Sequence, residues 1–102
     1  MGERLFDAGD LETLERAIER WGEDAQVAMA VEEVGELLTA LMQHRRERVE
    51  PAAVRGEIAD VLILANQLAL MYGLEEVECQ VEYKMARLAD RLDAYEEVGS
   101  RG

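Results

Sequence analysis

Apolar residues recur at three-four spacing along almost the whole of this chain, and nowhere do β-branched residues alternate long enough to make a strand. The clearest stretch places Val27, Ala30, Val31, Val34, Leu38 and Leu41 on one continuous stripe. A period of this kind confines the chain to an all-α fold. Four helices are predicted. Asp10 reads as the N-cap of the first, over "LETLERAIERW", which Gly22 closes. The second runs from Glu23 to Glu47, and "RVEPAA" interrupts the pattern before a third that has Pro51 in its first turn and stops at Gly73 after Tyr72. The fourth covers Glu75 to Glu96, with Val77, Val81, Met85, Leu88, Leu92 and Tyr95 on one side. Residues 1–9 and 98–102 read as loose tails.

Short connections between long helices favour antiparallel neighbours, so helices two and three are expected to form a hairpin within a four-helix bundle. The 102 residues are expected to make a single domain. From Val61 to Tyr72 the third helix is apolar nearly all round, more than one neighbour covers, which predicts an oligomer, dimer or tetramer, joined through apolar helix faces.

Charge narrows the partners. Twenty-three Asp and Glu against eleven Lys and Arg leave a net charge of -12, which repels nucleic-acid backbones. No secretory signal opens the chain, and the longest apolar run, "VLILANQLALMY", is broken by Asn66 and Gln67 and is too short to span a bilayer. Cys79 stands alone, so no internal disulfide or Cys-based zinc site is available, and its expected role is helix packing. A cytoplasmic protein without a membrane partner is the expectation.

The acids are not spread evenly. In "AVEEVGELLTAL", Glu33 and Glu36 lie three apart, with Glu32 on their flank and away from the apolar stripe. In "EIADVLILA", Glu57 and Asp60 repeat the device on helix three. On a helical hairpin the two pairs can face each other. Four carboxylates in a partly dry site repel strongly unless a cation joins them, and an all-oxygen donor set favours Mg²⁺ or Mn²⁺ over zinc. Gly35 and Gly56 stand inside helices at a cost of about 1 kcal/mol each relative to alanine, which predicts a close approach by a helix or ligand. Other pairs at this spacing, Glu12 with Glu15 and Glu75 with Glu78, read as solvated surface. Spacing by itself therefore leaves open both a metal site and a polar seam in an acidic helical interaction module. A di-iron carboxylate site is excluded, because it needs Glu-x-x-His twice and the single histidine, His44, has Leu41 three residues before it.

"EEVGE" followed some twenty residues on by "EIAD" resembles the EExxE...ExxD signature of the MazG-like all-α nucleoside triphosphate pyrophosphohydrolases, over about residues 20 to 95. The resemblance implies a helical oligomer that cleaves a nucleoside triphosphate to monophosphate and pyrophosphate with Mg²⁺, in the service of removing non-standard nucleotides. A phosphoribosyl-ATP pyrophosphohydrolase-like activity is the related alternative. Carried over to this chain, Glu33, Glu36, Glu57 and Asp60 would be metal ligands, and Glu32 and Glu33 the catalytic acids, with Glu32 supporting the metal or orienting the attacking water. "KMARLADR" resembles a pattern on the family's last helix and would offer Lys84 and Arg91 to the substrate, although Leu88 stands where that pattern has Asn. Gln67 best matches an amide on the family's third helix, with Asn66 beside it, and either would read a base edge or a sugar hydroxyl. Trp21 is a further candidate, for stacking on a base. "HRRER", from His44 to Arg48, places its positive charge at the C-terminal end of helix two, where the helix dipole favours it.

Overall fold

Asp7, and not Asp10, starts the first helix. In the computed structural model, which describes residues 6–47 and 49–101, α1 spans Ala8–Trp21. The Asp7 carboxylate accepts the Asp10 N–H at 2.8 Å, and the Asp10 carboxylate accepts the Asp7 N–H at 3.0 Å. This reciprocal box satisfies two of the N–H groups that a helix start leaves without partners. Asp10 is the third residue of the helix, so residues 8 and 9 belong to α1 and not to a tail; residues 1–5 of the expected tail lie outside the described residues. Gly22 ends α1 at a φ of 88°, with its N–H on the Ile18 carbonyl at 2.8 Å.

The second helix, α2, spans Glu23–Arg45, two residues shorter than its period predicts. Arg46 shares its N–H between the Met42 and Gln43 carbonyls, and Glu47 turns left-handed at a φ of 59°. A His44 ring nitrogen, Nδ1, lies 3.1 Å from the Val49 carbonyl and closes the turn as the donor. His44 thus fastens the end of α2 to the segment leading into the third helix, beyond its charge at the helix end. Arg48 lies outside the described residues.

The third helix, α3, runs Pro51–Tyr72 and stops at Gly73, whose φ of 112° suits glycine alone. The fourth, α4, runs Leu74–Arg101. Its C-terminal end corrects the expectation of a loose tail from residue 98. One glycine at an exposed helix position costs only about 1 kcal/mol, while each further residue of an existing helix adds a hydrogen bond at little entropic cost, so Gly99 does not end α4. Among the described residues there are four helices and no strand, an all-α architecture. No single helix among them is long and apolar enough to cross a membrane.

The described residues fall into two compact units, one ending at Met71 and the other beginning at Tyr72. In the first, α1 packs against α2, and Leu14, Ala30, Val54, Leu64 and Ala69 form the buried apolar set. Of the stripe that dominates the α2 sequence only Ala30 belongs to it: Val31 is 70% and Leu38 60% exposed, and Val34 and Leu41 are exposed as well. The face of α2 turned inward is instead Gln26, Ala30, Glu33, Leu37, Ala40 and His44, a row at helical spacing. The second unit is essentially α4. Its stripe is half-buried at Val77 and exposed from Val81 through Met85, Leu88 and Leu92 to Tyr95, and Cys79, expected to pack, is exposed too. Arg87 lies over the Tyr83 ring at 5.8 Å on the same helix, a local cation–π contact.

Candidate metal centre

The inward row on α2 determines where the acids go. Glu33 lies seven residues after buried Gln26, so two helical turns carry its carboxylate to the same interior side, while Glu36, about one turn later, is exposed at the edge of that row. On α3, Glu57 occupies the row that continues to buried Leu64 and Gln67. The two rows bring Glu33, Glu36 and Glu57 together: each offers a carboxylate oxygen within 4.8 Å of those of the other two.

Two of these oxygens, Glu33 Oε2 and Glu57 Oε2, are buried and accept no hydrogen bond. A buried carboxylate oxygen without a donor is costly, because it has lost its hydration and gained nothing in return. The Glu33 carboxyl responds by holding its proton, and its pKa is pushed up to about 7 by burial first, then by the negative charges of Glu36 and Asp60, by a hydrogen bond from its protonated form to the Glu36 carboxylate, and by the charge of Glu57. No Lys or Arg lines either hollow beside the cluster. Among the described residues that line these hollows no cation offsets the local charge, and three converging carboxylates, two of them with a buried oxygen that accepts no hydrogen bond, are a donor set that suits a hard divalent cation.

The structure brings three of the four expected ligands into this cluster. Asp60 is exposed and stands beside it, close enough for its charge to raise the Glu33 pKa, and it lines a cavity together with Glu33. Glu32 is exposed and borders an open groove of about 580 Å³ between α2 and α3, together with Gly35, Glu36 and Glu57. The two amides separate cleanly. Gln67 is 3% exposed and faces the cavity shared with Glu33, whereas the Asn66 amide donates to the Leu62 carbonyl of its own helix at 2.9 Å. Trp21 lines the same cavity while remaining 63% exposed. Lys84 and Arg91 are exposed on α4.

Sequence reasoning misses Gln26. It is the most deeply buried large side chain, at 2% exposure, its Nε2 has no hydrogen-bond partner, and it too lines the cavity. The available signal is its register with Glu33, two turns on along one face, inside a segment whose louder feature is the outer stripe.

The glycines also depart from expectation. A Cβ built at Gly35 or Gly56 meets nothing within 4 Å, so neither glycine is held by a close neighbour among the described residues. Gly56→Ala and Gly35→Ala should therefore each stabilise the isolated protein by about 0.5–1 kcal/mol, read as a higher midpoint in thermal denaturation. A lower midpoint would mean that another chain or a ligand presses on that backbone.

No family model, curated protein or solved structure matches the chain.

Proposed function

We propose that this chain is a divalent-cation-dependent nucleoside triphosphate pyrophosphohydrolase, which cleaves the anhydride between the α and β phosphates to give a monophosphate and pyrophosphate. The observation that carries the reading is the convergence of Glu33, Glu36 and Glu57, with two buried, unpartnered carboxylate oxygens and no described Lys or Arg in the lining of the hollows beside them. That these acids also compose the EExxE...ExxD pattern, on an all-α chain, supports the same conclusion.

Glu33, Glu36 and Glu57 would hold Mg²⁺ or Mn²⁺, with Asp60 next to them as a fourth donor. Bound there, the cation supplies charge neutralisation for the phosphates and acidifies or positions water. The chain's own contributions are geometric and electrostatic. Glu33 and Glu36 on α2 and Glu57 on α3 already stand together in the chain, so little reorganisation is needed when phosphate arrives. Glu32, exposed on the groove side of the cluster, accepts a hydrogen bond from the attacking water and orients it. With a net charge of -12 the chain repels triphosphates unless a cation is present, which makes activity conditional on the metal.

Assembly extends the same proposal. Exposed apolar residues recur along α2 and α4, and a homodimer or homotetramer of the MazG-like type would cover them. Lys84 and Arg91 on α4 are cations that such an assembly would offer to a phosphate. A role in clearing non-standard nucleotides from the cytoplasm is consistent with the reaction.

The direct test is pyrophosphate release across canonical and modified nucleoside triphosphates, and phosphoribosyl-ATP, each with Mg²⁺ and with Mn²⁺. The expected result is metal-dependent release of pyrophosphate, and not of orthophosphate, from at least one of them. Metal binding without turnover of any nucleotide would replace the enzyme by the acidic interaction module.

A further inference from the structure

Beside the carboxylate cluster lies a cavity of about 260 Å³ lined by α1, α2 and α3, with Trp21, Gln26, Met29, Glu33, Leu64 and Gln67 among its walls. Its volume is somewhat below the range of about 300–1,000 Å³ of whole-ligand pockets, so it suits one ring system and not an entire nucleotide. Two acids and no Lys or Arg line it, which excludes a phosphate as its occupant. A neutral, planar, largely apolar group is what remains. The walls also make one specific polar demand: Gln26 is 2% exposed and its Nε2 donor is unpaired. Buried donors are satisfied in the great majority of cases, and an orphan of this kind calls for an acceptor that the chain does not contain.

We propose that Gln26 is the residue that reads the base of the substrate, its Nε2 donating a hydrogen bond to a carbonyl oxygen or ring nitrogen on the edge of a nucleobase seated in this cavity. Met29 and Leu64 supply apolar walls, and Trp21, the only tryptophan in the chain, supplies an indole face where the cavity meets solvent. Gln67, buried in the same lining, is the second amide available to the base edge. That the base belongs to a triphosphate rests on the pyrophosphohydrolase reading; that a neutral heterocycle occupies the cavity rests on Gln26 and the lining alone.

The test separates the two. Adenosine, guanosine, cytidine, uridine and thymidine carry no phosphate and need no metal, and Trp21 fluorescence reports their arrival directly. At least one nucleoside should change that fluorescence saturably. Gln26→Met keeps the length of the side chain and removes the orphan donor, so the variant should fold at least as stably as the parent while binding that nucleoside about ten- to hundred-fold more weakly. Gln26→Glu, which replaces the donor by an acceptor, should weaken it further. Saturable binding that Gln26→Met leaves unchanged, or no binding of any nucleoside, overturns the inference. Nucleoside binding lost in Gln26→Met, in a protein that hydrolyses no triphosphate, upholds the pocket and removes the hydrolase. Turnover whose preference among bases is the same in Gln26→Met as in the parent keeps the hydrolase and removes the role of Gln26.

Discussion

Glu36→Gln should abolish metal-dependent pyrophosphate release, slowing it by about a thousand-fold or more, because losing one anchoring carboxylate gives up several kcal/mol of charge stabilisation in the transition state. The same substitution should move stability in opposite directions with and without metal. Without metal, Glu36 is one of the charges that crowd Glu33, and a glutamine there removes the charge while its amide oxygen still accepts a hydrogen bond from the protonated Glu33 carboxyl, so the variant should melt above the parent. With saturating Mg²⁺ or Mn²⁺ the parent should gain about 3 kcal/mol at a hundred times the dissociation constant, on the order of 10–20 °C in midpoint for a chain of this size, and the variant should gain little. Glu57→Gln should behave alike, since its unpartnered oxygen faces the same place. An ordinary surface acid shows neither effect, and a variant that melts below the parent in the absence of metal would mean that Glu36 is held by a favourable contact instead of being crowded. Thermal denaturation of both proteins, in chelator and in metal, distinguishes these outcomes.

How much of the fold and the cluster is visible in the residues depends on which physical signal is loudest. Helix type and most boundaries follow from local rules: Gly22, Pro51 and Gly73 punctuate the chain where backbone chemistry requires it, and α3 covers the span its period predicts. The start of α1 is ambiguous in the sequence because Asp7 and Asp10 both have cap chemistry, and only the folded geometry shows that they cap each other. The acid cluster is legible because i,i+3 pairs share a helix face wherever that helix packs. What the helices pack against is not. Most of the strongest apolar stripe of α2, from Val31 to Leu41, stays exposed, while a weaker row from Gln26 to His44, which shares only Ala30 with that stripe, turns inward. A single sequence gives the angular position of each residue on its helix but not which angle faces the interior. For the same reason the residues alone do not tell two adjacent amides apart: Gln67 continues the row of Glu57 and Leu64, and Asn66 falls off it onto its own backbone.

Protons and metal should compete for the cluster, and this fixes the sign of two pH dependences. The Glu33 carboxyl titrates at about 7 in the fold against an ordinary 4.5, so between these values the folded chain holds a proton that the unfolded chain has released. Stability from this group is therefore fully present below about pH 4.5 and is lost as pH rises through about 7; in chelator, the melting midpoint of the parent should fall across that interval. Glu33→Gln, which cannot ionise, should remove this part of the fall. Metal binding runs the other way, because a cation must displace the proton from Glu33 before it can use that oxygen. The midpoint shift produced by Mg²⁺ should be small near pH 5.5 and large near pH 8, and binding near pH 6 should release protons to the buffer, detectable as a buffer-dependent heat in calorimetry. A metal-induced shift that is the same at both pH values would place the ion elsewhere than on Glu33. The two slopes have opposite sign and a single origin, a carboxylate deprived of water among other carboxylates, which a proton satisfies at low pH and a divalent cation at neutral pH and above.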